Sequence, residues 1–229
     1  SLRVRMLMRV SGVSSFQSRV TSEMNSILGN SSSYPVCVTN SDNVLIDVHS
    51  LSTSVTSDLY DGIIGWGNND RANKNMIDYM QNNGDPRLRA MFQPGTLSAP
   101  VFLGLDQMLN ADIQNQYLAK DTIARYNFST LSKNKMLPGI LVTAAGTQLL
   151  IADYYLNIAG NDGAAKTAYE AGIRASIEYY YYLRSISDNN ETGVDPTNDT
   201  EISAYLNSSM KWAGTTDQKK NLVALQKWM

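Results

Sequence analysis

The chain has 229 residues, of which 43% are hydrophobic and 17% charged, and its formal net charge is −2 at pH 7. The charged share lies below the ~25% of an average globular domain, so the surface suits neutral polar ligands such as sugars or peptides better than phosphates. The sequence has no basic stripe that would indicate nucleic acid as a partner, no stretch near the ~18 apolar residues of a membrane span, and no signal peptide.

Residues 1–29 predict a helical hairpin. Apolar residues of the first helix form a stripe at helical spacing: Leu2, Met6, Val10 and Val13. Ser14 and Ser15 can cap the second helix, and Gly29 is expected to end it. The predicted buried face of the second helix consists of Phe16, Val20, Met24, Ile27 and Leu28.

Residues 30–137 form a loop-rich region that we expect to lie on the ligand side. Residues 30–70 are rich in Ser, Asn, Asp and Gly and predict a long ordered loop with at most a short strand at 44–46. A short helix is expected from Arg71 to Asn82, Gly84 ends it, and the segment 85–88 turns the chain. Residues 93–137 again predict irregular structure. Loops of this length in a compact protein are usually functional or disordered.

Residues 138–229 predict further helical hairpins. The periodicity indicates helices over 141–156, 163–186, 200–212 and 216–229, and Thr215 with Gln218 has the pattern of a capping box. The predicted fold is therefore one mainly α domain over 1–229, built from stacked helical hairpins of tetratricopeptide type with long irregular loops.

The candidate ligand surface lies in residues 60–71, where aromatic faces stand beside amide and charged groups. Sugar rings stack on aromatic faces and bond amides and carboxylates, and peptides can use the same groups. The alternative is that the aromatic side chains pin the loop onto the helices. The overlapping segment 62–67 is glycine-rich and is interpreted as a flexible turn rather than a phosphate loop. The candidate residues are Tyr60, Trp66, Asn68, Asn69, Asp70 and Arg71.

A calcium loop is the one metal pattern in the sequence. Asp188, Asn190, Thr192 and Asp199 occupy the ligand positions of such a loop between two predicted helices. The alternative is an acidic, solvated turn in which Asp199 or Thr200 caps the next helix. No other cofactor is predicted.

Nothing in the sequence indicates catalysis. The one histidine, His49, lies in a loop without an accompanying serine or cysteine motif, and the one cysteine, Cys37, has the surroundings of a buried, inert thiol. We therefore expect a protein that is not an enzyme.

Four segments together resemble the SusD/RagB family of outer-membrane lipoproteins, in their order and spacing over nearly the whole chain. A final Gln226-Lys227-Trp228 also fits the family. Asp153 stands where the family usually has glutamate, and the tyrosine run 179–182 departs from its pattern. The matching segments are 1–11, 84–92, 149–154 and 168–179.

The resemblance implies a tetratricopeptide-like helical scaffold whose loops carry the ligand surface. It implies a cell-surface lipoprotein of the outer membrane that binds an oligosaccharide or peptide and forms the lid of a SusC-type TonB-dependent transporter. The chain would be about the second half of such a protein, with both ends cut and the N-terminal lipid outside it. The alternative function is a helical-repeat scaffold that binds only other proteins.

Overall fold

The computed structural model describes residues 1–47, 50, 52, 54–66 and 71–229, with the backbone alone for 63–66. The described part is mainly helical, which confirms the predicted fold class. Its helices are α1 (Leu2–Val10), α2 (Gln17–Leu28), α3 (Asp58–Trp66), α4 (Lys74–Asn82), α5 (Arg87–Met91), α6 (Ala111–Ala119), α7 (Ala144–Asn157), α8 (Asp162–Ser185), α9 (Asp199–Asn207) and α10 (Thr216–Trp228).

The described residues form two short strand ladders and two isolated β-bridges, Arg71 with Arg125 and Asn73 with Leu105. The strand β1 (Val44–Ile46) confirms the short strand expected there, and it pairs with β4 (Gly139–Val142). The strand β2 (Phe92–Gln93) pairs antiparallel with β3 (Arg125–Tyr126). A single π-helical turn follows at Phe128–Ser132.

The chain divides into two compact units. Unit 1 comprises Ser1–Leu45, Ile140–Ser176 and Lys211–Met229, and unit 2 comprises Ile46–Gly139 and Ile177–Met210. Neither unit is continuous in sequence, and α8 contributes its first part to unit 1 and its last part to unit 2.

In unit 1, α1 packs against α2 and α7, and α10 packs against α7. The hydroxyl of the fully buried Tyr154 donates a hydrogen bond to Asn25 Oδ1 (2.8 Å), which joins α7 to α2. The rings of Tyr169 and Trp212 lie 5.1 Å apart, and the Trp212 indole N–H donates to Asp162 (3.1 Å). Apolar burial and a few satisfied polar groups thus hold the hairpins together.

The first hairpin differs in detail from its prediction. Helix α1 ends before Val13, and its buried residues are Val4 and Leu7, whereas Leu2 and Met6 are each 62% exposed. The apolar stripe therefore marks a helix but is not its buried face.

The start of α2 also differs from its prediction. The two serines predicted as caps belong to a 3₁₀ turn, Ser14–Phe16, and no side-chain cap bond is formed at the start of α2. Phe16 is 41% exposed, while the buried residues of α2 are Val20, Met24 and Ile27.

Three helices were missed. Helix α5 lies where only a turn over 85–88 was predicted, because its five residues are too few to show a periodic apolar pattern. Helix α3 lies where a loop and a flexible glycine turn were predicted, because Gly62 and Gly65 lower helix propensity and conceal the pattern. Helix α6 lies in the segment expected to be irregular, and none of its residues is buried, so no apolar stripe marks it.

The remaining helices match their predictions within a few residues, except that Leu141 lies in β4 and that α9 ends at Asn207. Gly84 follows α4 with φ +63°, a left-handed conformation that glycine adopts without strain.

No helix among the described residues has the length and apolar composition needed to span a bilayer.

Candidate functional site

The predicted ligand surface begins on α3, in unit 2. Just before this helix, the backbone N–H of the buried Ser57 donates to the carbonyl of Lys135 (3.0 Å). Helix α3 packs on the π-helical turn Phe128–Ser132. The Lys135 ammonium lies 5.5 Å from the centroid of the Tyr60 ring, within reach of a cation–π interaction. Tyr60 is half-buried.

The structure describes two of the six candidate side chains. Trp66 ends α3, and only its backbone is described. Asn68, Asn69 and Asp70 lie outside the described residues, as does His49. The surface formed by these residues together with Tyr60 stays a prediction.

Arg71 belongs to a polar cluster around Asp121. Its guanidinium donates to Asp121 Oδ1 (2.7 Å) and to the carbonyl of Ile123 (3.0 Å), and its side chain is 4% exposed. Arg125 donates to the same carboxylate oxygen (2.6 Å), and the hydroxyl of Thr96 donates to the other one (2.6 Å). In this conformation Arg71 holds the loop rather than presenting charge to solvent.

The Asp121 cluster is electrostatically strong. Burial disfavours the charged form of Asp121, but the Thr96 hydroxyl and the guanidinium groups of Arg71 and Arg125 outweigh it and hold the pKa of that carboxyl well below its usual range. Nearby, a Cβ built on Gly95 would lie 2.5 Å from the carbonyl oxygen of Asp121, so the two ends of the 95–121 loop touch through their backbones. The loop is therefore ordered at its base.

A second polar network fixes the loop that follows α8. The Ser129 hydroxyl donates to Asn189 Oδ1 (2.8 Å) and accepts from the backbone N–H of Thr192 (2.9 Å). The Thr192 hydroxyl donates to Gln93 Oε1 (2.7 Å), which also accepts from the backbone N–H of Phe128 (2.8 Å). The 188–192 loop is thus tied to β2 and to the π-helical turn.

Three of the four predicted calcium ligands form hydrogen bonds with protein groups in this structure. Asp188 Oδ1 accepts from the backbone N–H of Lys135 (3.4 Å), and Asn190 Oδ1 accepts from Arg184 (3.1 Å). Thr192 donates as described above, and Asp199 lies in the first turn of α9. Among the described residues no group of three or more His, Cys, Asp or Glu side chains could hold a metal ion. Calcium binding stays a prediction.

The alternative interpretation of the same loop needs one correction. The side chain that caps α9 is that of Asn198, which accepts from the backbone N–H of Glu201 (2.9 Å), rather than that of Asp199 or Thr200. Asn198 stands in extended backbone just before the helix, where a cap belongs.

The turn at 85–88 is held by a buried ion pair, as its Asp–Arg pattern indicates. The guanidinium of Arg87 donates to both oxygens of Asp85, at 2.9 and 2.5 Å, and the two side chains are 1% and 0% exposed. The Tyr205 hydroxyl donates to Asp85 (2.8 Å), and the Tyr181 hydroxyl donates to the carbonyl of Pro86 (2.9 Å). This cluster joins α5, α8 and α9 within unit 2.

The one cysteine is a buried thiol. Cys37 is 5% exposed, and burial raises the pKa of its thiol, so the reactive thiolate is disfavoured. This agrees with the predicted inert thiol.

Sequence reasoning missed the residues that position the candidate surface. Lys135, Gln93 and Ser129 lie far from Tyr60 and from the 188–192 loop in sequence, and no local pattern marks them. Only covariation between positions that are distant in sequence could have identified these residues.

A protein-family model described as "SusD-like_2: Starch-binding associating with outer membrane" matches residues 1–229. No curated protein matches the chain. The chain is also similar to several solved structures of SusD homologues, each of which it covers only in part.

Three of these structures illustrate the similarity. A SusD homologue from Bacteroides vulgatus ATCC 8482 is 24% identical with a TM-score of 0.68, over 99% of this chain and 45% of that one. One from Bacteroides fragilis NCTC 9343 is 16% identical with a TM-score of 0.76, over 99% and 49%. A chitin-binding SusD homologue from Flavobacterium johnsoniae is 21% identical with a TM-score of 0.66, over 99% and 46%. The chain spans about half the length of these proteins, and the likeness shows the fold.

Proposed function

We propose that this chain binds an oligosaccharide for uptake. The premise is that it belongs to the SusD-like family of starch-binding proteins that associate with the outer membrane. The observation that carries the proposal is the match of the family model to every residue from 1 to 229. In this proposal the role is binding rather than catalysis, because the family description names starch binding.

The proposed ligand class is a neutral saccharide, and both the comparisons and the residue types of the chain support it. The family description names starch, one similar solved protein is described as binding chitin, and both are neutral polymers of sugar rings. The chain is weakly charged overall, and Tyr60 is a half-buried aromatic residue in the first turn of α3. An aromatic face with polar neighbours suits a sugar ring better than a charged ligand.

In this proposal the intact protein is a lipoprotein on the cell surface and forms the lid of a SusC-type TonB-dependent transporter. The family description supports association with the outer membrane. Affinity purification of the intact protein from outer membranes tests the partner, which we expect to be a TonB-dependent barrel. Capture of other proteins with no barrel would contradict the lid role.

The binding surface is tested with Trp66→Ala, measured by calorimetric titration with maltoheptaose and with chitohexaose. We expect an affinity lowered about tenfold, or about 1.4 kcal/mol, for the saccharide that binds, because a stacking face is lost. The melting temperature should change little.

The matched control is Trp228→Ala, which removes a tryptophan that is 53% exposed in unit 1 and should leave affinity unchanged. A Trp66→Ala protein that melts earlier but binds with unchanged affinity would show that Trp66 only pins its loop.

A further inference from the structure

A cavity of about 440 Å³ lies in unit 1, where the turn between α1 and α2 meets the C-terminal end of α7. The cavity is lined by Ser11 and Gly12 of the turn, by Gln17 and Thr21 of α2, and by Asn157, the last residue of α7. Its volume falls within the ~300–1,000 Å³ typical of small-molecule sites. Nothing in the candidate surface around Tyr60 uses these residues.

The lining of this cavity is polar but uncharged. Its polar groups are two hydroxyls and two amides, and its apolar floor is formed by Val20 and Ile158. Asp153, one helical turn before Asn157, accepts from the Asn157 amide (2.5 Å) and forms an ion pair with Lys227 (2.8 Å), so its negative charge is offset. With no cation in its lining, the cavity has nothing to hold a phosphate or a carboxylate.

Several hydrogen-bonding groups of the lining remain usable by a ligand. The Ser11 hydroxyl donates to the carbonyl of Met8 (2.8 Å) and the Thr21 hydroxyl donates to the carbonyl of Gln17 (3.0 Å), so each oxygen can still accept. The exposed Gln17 amide offers both donors and an acceptor, and Asn157 keeps acceptor capacity on its carbonyl. Donors and acceptors mixed over an apolar floor match a sugar ring, whose hydroxyls both donate and accept.

We infer that this cavity is a second saccharide site, which takes one neutral sugar residue or the end of a chain. The inference rests on the proposed function but concerns a different unit of the chain from Tyr60. Because none of the described residues that line the cavity is aromatic, recognition there depends on hydrogen bonds to the amides of Gln17 and Asn157.

The test uses the side-chain amide NMR signals of Gln17 and Asn157 during titration with maltoheptaose and chitohexaose. One saccharide should shift both signals in the unaltered chain and in Trp66→Ala. Gly12→Leu should abolish the shifts, because a Cβ at Gly12 meets nothing within 4 Å and a larger side chain can enter the cavity. The matched control is Gly193→Leu, at a glycine of unit 2 that is equally open.

Gln17→Ala provides a second test that does not depend on how Gly12→Leu folds. It should weaken the binding reported by the Asn157 signal about tenfold while circular dichroism stays unchanged. Saccharide binding that leaves both amide signals unmoved, or shifts that persist in Gly12→Leu and Gln17→Ala, would overturn the second site and leave the proposed function standing. Failure of the unaltered chain to bind either saccharide would instead contradict the proposed function and, with it, the second site.

Discussion

Asp121 is a single residue through which three segments of unit 2 are joined. Its carboxylate binds Arg71, Arg125 and Thr96, and the Arg71 side chain has almost no contact with solvent. We expect Asp121→Asn to lower the free energy of unfolding by about 2 kcal/mol, between the values for exposed and buried ion pairs, because Asp121 is 29% exposed. Asn also tolerates the left-handed backbone at this position (φ 49°), so urea denaturation reports the lost charge.

The same contact predicts a pH dependence. The pKa of Asp121 is depressed in the folded state, so its contribution to stability is complete above its unfolded pKa of about 3.9 and is lost as the pH falls through the folded value. The stability difference between the native chain and Asp121→Asn should therefore shrink between pH 6 and pH 3. Asp112→Asn, at an exposed acid of α6, is the control. A difference that does not vary with pH would rule out the ion pairs as its source.

Among the secondary-structure elements, those with an apolar stripe or a clear cap could be predicted from the sequence. Helices α7 and α8 bury large parts of their surface, which imposes a periodic pattern, and the capping box at Thr215 and Gln218 is present in the structure. Helices α3 and α6 could not be predicted, because glycines interrupt the first and no buried face marks the second. A local sequence pattern predicts a helix when the helix buries an apolar face or has a side-chain cap. Where both features are weak, the helix cannot be predicted from local sequence.

The capping box of α10 can be tested directly. The Thr215 hydroxyl accepts from the backbone N–H of Gln218 (3.3 Å), and Gln218 Oε1 accepts from the backbone N–H of Thr215 (2.7 Å). Thr215→Ala should cost about 1 kcal/mol of stability, measured by thermal or urea denaturation, because a backbone donor of the first turn loses its partner. Thr216→Ala changes an equally exposed threonine inside the helix and should have little effect. Equal losses in the two variants would mean that the cap contributes nothing.

At the scale of the whole molecule, the fold class and the family followed from the order of several segments, each of which is mostly helix packing. The site did not follow in the same way. Tyr60 could be named from its neighbours in sequence, but its contact with Lys135 and the burial of Arg71 against Asp121 depend on the tertiary path of the chain. The residue types therefore indicated which class of ligand the site could bind. The tertiary structure determined which side chains remain accessible to that ligand.

Helix α8 belongs to both compact units, and its continuity makes a prediction for the whole chain. Tyr169 and Ile173 are buried in the part that belongs to unit 1, and Ile177 and Leu183 in the part that belongs to unit 2. Ser176→Pro removes a hydrogen bond in the helix interior at the division, at a cost of about 3 kcal/mol or more. We expect amide hydrogen exchange to rise in α7 of unit 1 and in α9 of unit 2 together. Leu149 of α7 lies beside Gly172 of α8, and Tyr181 of α8 and Tyr205 of α9 both donate hydrogen bonds to the turn at 85–86. A rise confined to one unit would show that the two parts of α8 are stabilised independently.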